Sequence, residues 1–231
     1  MSYKKIEIMD TTLRDGEQTS GISFSPKEKL SIAKLLLHEL NVNRIEIASA
    51  KVSEGEMKAV KLITDWAKES GFVEKIEILS FVDGGSSIRW MEKAGAKTQN
   101  LLTKGSINHL KNQIKKTPTQ HFKDISNVIQ CAEDHGIKTN VYLEDWSNGM
   151  KNSKSYVMDM VQFLSEKNVD RILLPDTLGV LTPDLTKEFI KEMINNFSNI
   201  HFDFHAHNDY DLSVANVIES IQNGCNGIHI T

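Results

Sequence analysis

The chain has 231 residues, of which 39% are hydrophobic and 25% charged, enough apolar surface for the core of one α/β barrel. Its formal net charge of −4 argues against a nucleic-acid partner, which a basic surface would attract. No apolar run approaches the roughly 20 residues of a membrane-spanning helix, and the two cysteines cannot form a disulfide framework, so we expect a cytoplasmic protein without a membrane partner.

Short apolar stretches alternate with longer segments of helical periodicity along the whole sequence. The pattern predicts eight strands, at residues 5–9, 44–48, 75–81, 97–102, 138–144, 171–174, 200–205 and 227–231. It predicts seven helices between them, at residues 26–40, 54–70, 86–94, 118–135, 153–167, 183–197 and 212–223. Eight strand units with right-handed crossovers favour a closed TIM (β/α)₈ barrel over the alternative, an open doubly wound sheet.

The predicted units form one domain. No linker, low-complexity stretch or block of charge divides residues 1–231, which we interpret as one catalytic barrel domain. The pattern stops at the eighth strand, whereas a barrel normally continues into an eighth helix. We therefore expect this sequence to be truncated after strand eight and to lack the eighth helix.

Polar residues follow the predicted strands, where the active sites of barrels lie. His205 and His207 are two residues apart on strand seven, so both imidazoles face one side and can reach one metal ion. Asp15, after strand one, would complete a set of two histidines and one carboxylate, and Arg14 beside it adds a fixed cation. The alternatives are histidines that only hydrogen-bond in a polar loop and an Arg14–Asp15 pair that is merely solvated.

Two further groups of charged residues fit more than one role. Glu144 directly follows the apolar end of strand five, where partial desolvation suits a general acid or base, although it could also turn to solvent. Lysines at 104, 111, 115 and 116 could meet the phosphates of a coenzyme, but a solvated helix face is the favoured interpretation.

Strands one to three each carry a glutamate between two isoleucines. If the isoleucines face the helices, Glu7, Glu46 and Glu77 point into the barrel, where an unpaired charge is costly. Partners must therefore exist, and the candidates include Arg44, Asn100 and Asn140. Glu46 either helps to order the metal site or, like the other two, forms a structural ion pair.

Two motifs carry a family resemblance that covers essentially the whole chain. Residues 10–18 (DTTLRDGEQ) and residues 205–209 (HAHND) resemble the DRE-TIM metallolyases, a superfamily of isopropylmalate, homocitrate and citramalate synthases and hydroxymethylglutaryl-CoA lyase. Within it, residues 79–84, 101–105 and 141–149 look most like citramalate synthases.

The resemblance implies a role for each matching residue. Asp15, His205 and His207 would bind a divalent metal (zinc, manganese or magnesium), and Arg14 would stabilise the developing oxyanion. Glu144 would be the catalytic acid/base, and Thr177 would hold the carboxylate of a 2-oxo acid. Residues that would adjoin the ligands and help to orient them are Gln18, Glu46, Asn208 and Asp209.

The resemblance also implies a reaction. A homodimer would condense acetyl-CoA, the co-substrate, with a small 2-oxo acid. Leu79, Leu102 and Tyr142, at the ends of strands three to five, would admit the methyl group of pyruvate and crowd an isopropyl group. We therefore expect citramalate synthesis, on the route to isoleucine.

Other functions stay open. One is 2-isopropylmalate synthesis from 2-oxoisovalerate, on the route to leucine; others are a hydroxyacyl-CoA lyase or aldolase and a non-catalytic ligand-binding remnant. The family continues past strand eight into an asparagine ligand and C-terminal subdomains. We therefore expect the 231-residue chain alone to have little synthase activity.

Overall fold

The structure, a computed structural model, describes residues 5–231. Eight parallel strands close into a barrel in chain order, which confirms the predicted (β/α)₈ architecture. The strands are β1 (Glu7–Asp10), β2 (Arg44–Ser49), β3 (Ile76–Phe81), β4 (Thr98–Lys104), β5 (Lys138–Glu144), β6 (Arg171–Asp176), β7 (Phe202–Ala206) and β8 (Gly227–Ile230). Each lies within about two residues of its predicted bounds, and β4 extends two residues further than predicted, to Lys104.

Helices connect the strands and cover the outside of the barrel. Within residues 5–231 they are α1 (Pro26–Lys34), α2 (Glu54–Ser70), α3 (Ser86–Ala94), α4 (Ile107–Asn112), α5 (Pro118–Asp134), α6 (Trp146–Asn152), α7 (Lys154–Ser165), α8 (Pro183–Asn196) and α9 (Ser213–Gln222). A π-helical segment, Leu35–Glu39, continues α1. The short helices α4 and α6 are additions to the seven that the sequence predicts. No helix of the described part of the chain is long and apolar enough to span a membrane.

Local sequence signals set several helix ends. Ser25 begins α1 with a capping box, in which its side chain accepts from the backbone N–H of Glu28 and the Glu28 carboxylate accepts from the backbone N–H of Ser25. Thr117 caps α5 in the same way. Gly71, which follows α2, has φ +77°, a left-handed conformation in which glycine carries no side-chain penalty.

The two faces of each strand have different environments. Phe202 and Phe204 of β7 point outward and are fully buried in the main apolar core between strands and helices. A smaller apolar cluster of Met9, Leu79 and Tyr142, with Leu173, fills part of the barrel interior. Residues of β7 with the opposite parity therefore face that interior, as the alternation of a strand requires.

Below the apolar cluster, the barrel interior holds a network of charged side chains. Arg44 is 5% exposed and contacts three carboxylates, those of Glu7 at 3.4 Å, Glu77 at 3.0 Å and Asp203. Glu46 is instead paired with Asn100, whose Nδ2 donates to its Oε1 at 2.7 Å. The predicted inward glutamates thus have partners, which a buried charge needs.

The loops that follow β4 and β5 are in backbone contact. The N–H of Gly105 donates to the carbonyl oxygen of Glu144 at 2.7 Å. A Cβ atom added to Gly105 would lie 2.5 Å from the carbonyl oxygen of Leu143, and one added to Gly149 would lie 2.1 Å from the carbonyl oxygen of Gly105. Because glycine has no side chain at either position, the carboxyl ends of β4 and β5 can lie close together.

Candidate active site

Three predicted ligands converge at the carboxyl ends of the strands. Asp15 follows β1, whereas His205 lies on β7 and His207 follows it; both strands pair with β8. The Oδ2 atom of Asp15 lies 3.3 Å from His205 Nε2 and 3.9 Å from His207 Nε2, and the three candidate ligand atoms lie within 4.8 Å of one another. One carboxylate and two imidazoles are a donor set that suits zinc or another divalent metal with positions left for substrate.

The electrostatics of this triad favour the ligating forms. Burial acts to raise the pKa of Asp15, but the hydrogen bond from His205 and the charge of Arg14 outweigh it and lower the pKa. Burial lowers the pKa of His205 despite the opposing effect of Asp15. Asp15 is therefore an anion and His205 a neutral imidazole near neutral pH, which are the forms that bind a metal.

Arg14 is held from two sides. Its Nη1 donates to Asp15 Oδ1 at 2.6 Å, and its Nε donates to the fully buried carboxylate of Glu46. Glu46 accepts from Asn100, which in turn accepts from Nδ2 of Asn140 at 2.9 Å. Glu46 therefore touches Arg14, the neighbour of the ligand Asp15, and fixes the orientation of the guanidinium.

A small cavity of about 180 Å³ opens above the apolar cluster of the barrel interior. It is lined by the triad, by Gln18, by the residues to which the resemblance assigns catalysis or carboxylate binding (Arg14, Glu144 and Thr177) and by the residues expected to limit substrate size (Leu79, Leu102 and Tyr142). Residues from six strand ends, far apart in sequence, thus meet around one space. An adjoining cavity of about 710 Å³ shares the triad and Gln18, and α9 forms its apolar wall.

Glu144 has a partner that the sequence did not suggest. Its carboxylate forms an ion pair with Lys104, the last residue of β4. The interpretation of Lys104 as part of a solvated helix face is therefore wrong, because the strand carries it to the barrel mouth, where its side chain is 15% exposed. The Glu144 side chain is 23% exposed and reaches the small cavity.

Thr177 is held by the neighbouring strand end. Its Oγ1 accepts the backbone N–H of Asp145 at 2.9 Å. Asp145 has φ +67°, a left-handed conformation uncommon for a residue with a side chain, and its carboxylate accepts from Ser106 Oγ and Asn148 Nδ2. These contacts hold the turn after β5, so that Thr177 and Glu144 face the same cavity.

Asn208 and Asp209 lie in the loop between β7 and α9. Asn208 is exposed and lines the larger cavity, and its Oδ1 accepts from the backbone N–H and the hydroxyl of Ser213 at the start of α9. Asp209 is exposed in the same loop and lies against Gly179. Both side chains therefore serve this loop in the structure, and a part in orienting the ligands stays a prediction.

His229 of β8 is a site residue that the sequence analysis did not identify. Its Nδ1 lies 3.1 Å from His205 Nδ1 and 3.1 Å from the Tyr142 hydroxyl. Burial lowers the pKa of His229 to about 3 and raises that of Tyr142, so both are uncharged near neutral pH. The alternation of β8, with Ile228 and Ile230 between inward positions, is the signal that could have revealed it.

Comparisons with known proteins identify the family of the chain. Residues 5–231 match the HMGL-like family. Relatives include a probable 2-isopropylmalate synthase of Ignicoccus hospitalis (34% identical, 99% of this chain and 55% of the relative) and a homocitrate synthase of Sulfolobus acidocaldarius (30%, 99% and 48%). Another is an (R)-citramalate synthase of Methanocaldococcus jannaschii (32%, 98% and 44%). The chain thus spans about half the length of these relatives.

Solved structures share the fold at lower identity. Hydroxymethylglutaryl-CoA lyase from Pseudomonas aeruginosa superposes with a TM-score of 0.76 at 16% identity, covering 99% of this chain and 76% of that one. The carboxyl transferase domain of Rhizobium etli pyruvate carboxylase gives 0.73 at 15% identity, covering 98% and 40%. Both show the barrel architecture alone. With a family match across almost its whole length, the chain belongs to the HMGL-like family.

Proposed function

We propose that this barrel catalyses the metal-dependent condensation of acetyl-CoA with a small 2-oxo acid. The observation that carries the proposal is the small cavity, which the triad, Arg14, Glu144 and Thr177 line together. The relatives named isopropylmalate, homocitrate and citramalate synthase support the reaction class. A working homodimer in the cytoplasm belongs to the same proposal.

The position of each side chain supports a specific role in the condensation. A divalent metal held by Asp15, His205 and His207 would polarise the carbonyl of the 2-oxo acid as a Lewis acid. Thr177 Oγ1 already accepts from Asp145, which leaves its own hydrogen to donate to the substrate carboxylate.

The proton and charge transfers then fall to Glu144 and Arg14. Glu144 removes a proton from the acetyl methyl group, and the resulting carbanion attacks the carbonyl carbon of the 2-oxo acid. Arg14 faces the alkoxide that forms, where a fixed positive charge lowers the barrier most. Hydrolysis of the thioester releases free CoA.

The cavity lining supports pyruvate as the 2-oxo acid. Leu79 is 6% and Tyr142 3% exposed, and with Leu102 they form an apolar wall that suits a methyl group. Among the described residues that line this cavity, Arg14 is the cation, and Asp15 and Glu46 already engage it. A second substrate carboxylate, as in 2-oxoglutarate, would therefore find no partner. The product from pyruvate is citramalate, and a preference for 2-oxoisovalerate would make it 2-isopropylmalate.

Two measurements test the proposal. Calorimetry should show pyruvate binding that requires Mn²⁺ or Zn²⁺. A thiol assay of the full-length protein should show free CoA released from acetyl-CoA with pyruvate faster than with 2-oxoisovalerate. His207→Ala should weaken metal affinity at least about tenfold, as the loss of even an indirect contact can. The matched change His38→Ala, at an exposed histidine outside the site, should leave it unchanged. Equal metal affinity in both variants would show that the histidine pair does not bind the metal. Faster turnover of 2-oxoisovalerate than of pyruvate would instead indicate an isopropylmalate synthase.

A further inference from the structure

His229 lies beside the proposed ligand His205, on the neighbouring strand. In the β7–β8 register, Asp203 pairs with Gly227 and Phe204 with Ile228, which places His205 and His229 at the same level of neighbouring strands. Both side chains point into the barrel, and the side chain of His229 is 1% exposed. A buried imidazole is thus in contact with the inner ring nitrogen of His205.

The contacts of the His205 ring assign a role to each of its nitrogens. Nε2 faces the triad, 3.3 Å from Asp15 Oδ2, so it is the atom placed to bind a metal. Nδ1 faces away from the triad and lies 3.1 Å from His229 Nδ1. A neutral imidazole that gives its Nε2 lone pair to a metal carries its hydrogen on Nδ1. That hydrogen needs an acceptor, and His229 Nδ1 is the atom in position.

The second nitrogen of His229 continues the chain of contacts. If Nδ1 accepts, the single hydrogen of a neutral His229 sits on Nε2. Nε2 lies 3.5 Å from Asp203 Oδ2, a fully buried carboxylate. Asp203 is held in turn by Arg44 and by Nε2 of His201, 2.9 Å from its Oδ1. The carboxylate at the end of the chain is therefore anchored by two cationic or hydrogen-bonding groups deep in the barrel.

We propose that His229 is a positioning residue for the metal centre: it accepts the Nδ1 hydrogen of His205, and Asp203 fixes the tautomer of His229. The inference rests on metal binding by the triad and needs no assumption about the organic substrate. When the N–H of the non-ligating ring nitrogen donates a hydrogen bond, a ligand imidazole binds its metal more strongly and cannot rotate. Removal of such a hydrogen-bond partner weakens metal affinity about 10- to 100-fold. The hydroxyl of Tyr142 also lies 3.1 Å from His229 Nδ1 and restrains the same edge of the ring.

Co²⁺ titration of three variants of the full chain separates positioning from packing. His229→Leu removes the acceptor, and His229→Gln keeps an amide oxygen that can accept. His121→Leu removes an equally buried histidine of α5, which contacts β4. We expect His229→Leu to bind Co²⁺ about 10- to 100-fold more weakly, with an altered visible spectrum. His229→Gln should lose less than about tenfold, and His121→Leu should match wild type although it loses stability. Wild-type affinity and spectrum in His229→Leu would overturn the inference.

A second measurement needs no variant and so covers the case in which His229→Leu does not fold. Long-range ¹H–¹⁵N correlation of the Zn²⁺-loaded wild-type chain reports which ring nitrogen carries hydrogen. We expect Nδ1–H for His205 and Nε2–H for His229; Nδ1–H on His229 would overturn the inference. Because the probe is the metal alone, absence of CoA release by the full-length protein would refute the proposed reaction and leave this result intact.

Discussion

Lys104 and Glu144 are paired residues of neighbouring strands, and their side chains form an ion pair at the mouth of the barrel. The backbone of Lys104 is itself fixed, since its N–H donates to His121 Nε2 at 3.1 Å and its carbonyl accepts from the Tyr156 hydroxyl at 2.8 Å. The ammonium group therefore holds the carboxylate of Glu144 from a rigid support beside the small cavity.

Removing that cation should impair catalysis more than binding. We expect Lys104→Met to lower kcat for CoA release roughly tenfold, part of the 100-fold or more that a positioned general base contributes, with little change in the KM for pyruvate. Lys104→Arg should retain most of the rate. Lys123→Met, at an exposed lysine on α5, is the matched control and should behave as wild type. An unchanged kcat in Lys104→Met would show that Glu144 needs no cation.

The apolar wall of the small cavity should control substrate size. Leu79→Ala and Leu102→Ala remove bulk where the side chain of the 2-oxo acid is expected. Because one methylene in an apolar pocket is worth about 1–3 kcal/mol, the ratio of kcat/KM for 2-oxoisovalerate over pyruvate should rise roughly tenfold. Leu178→Ala, at a leucine that is 52% exposed, should leave the ratio unchanged. A constant ratio in the first two variants would place the substrate elsewhere.

The charged network below the cavity should matter for stability. Arg44→Met would leave Glu77 and Asp203 buried without their cation, and we expect a loss of about 3–5 kcal/mol in the free energy of unfolding. Lys138→Met breaks a surface pair with Glu74 and should cost at most about 1 kcal/mol. Urea unfolding of both variants measures the difference. Similar losses would mean that the buried network is not coupled to folding.

His121 should make the fold sensitive to mild acid. Burial lowers the pKa of His121 to about 4, and its Nε2 must stay unprotonated to accept the Lys104 N–H. The unfolded chain, with a histidine pKa near about 6.5, takes up the proton first, so stability falls from pH 6.5 to 4, by up to roughly 3 kcal/mol.

The variant His121→Gln isolates this contribution from that of other titrating groups. Over the same pH range the difference in unfolding free energy between wild type and His121→Gln should move in favour of the variant as pH falls. Urea unfolding at several pH values measures it. A difference that does not vary with pH would assign the acid sensitivity to other residues.

The alternation of side chains within single strands was the main basis for predicting the strands and the direction of their side chains. It predicted that His205 and His207 face one side of strand seven. In the structure His205 points into the barrel and Phe202 and Phe204 pack toward the helices, because a strand turns successive side chains to opposite faces. Eight such segments sufficed for the barrel. By contrast, α4 and α6 have six and seven residues, too short for helical periodicity to emerge. Ser106, the N-cap of α4, was the main signal for that helix.

Contacts between strands were the part that the sequence could not supply. Parity indicated that Glu46 points inward, but its pairing with Arg14 depends on how β1 and β2 are staggered. The same holds for Lys104 and Glu144, which are 40 residues apart. His229 was within reach, since it has the inward parity of its strand, yet a single histidine on a four-residue strand carries no motif.

Gly105 and Gly149 limit which substitutions the chain can tolerate. A side chain at either position would meet backbone atoms, which cannot rotate away as a flexible side chain can. Any replacement would therefore push apart the two strand ends that bring Lys104 to Glu144. In a mutational scan, these two residues should tolerate as little substitution as the metal ligands, although neither touches the cavity. The positions that tolerate no substitution would thus include the active-site residues and also the two glycines at which the loops after β4 and β5 are in contact.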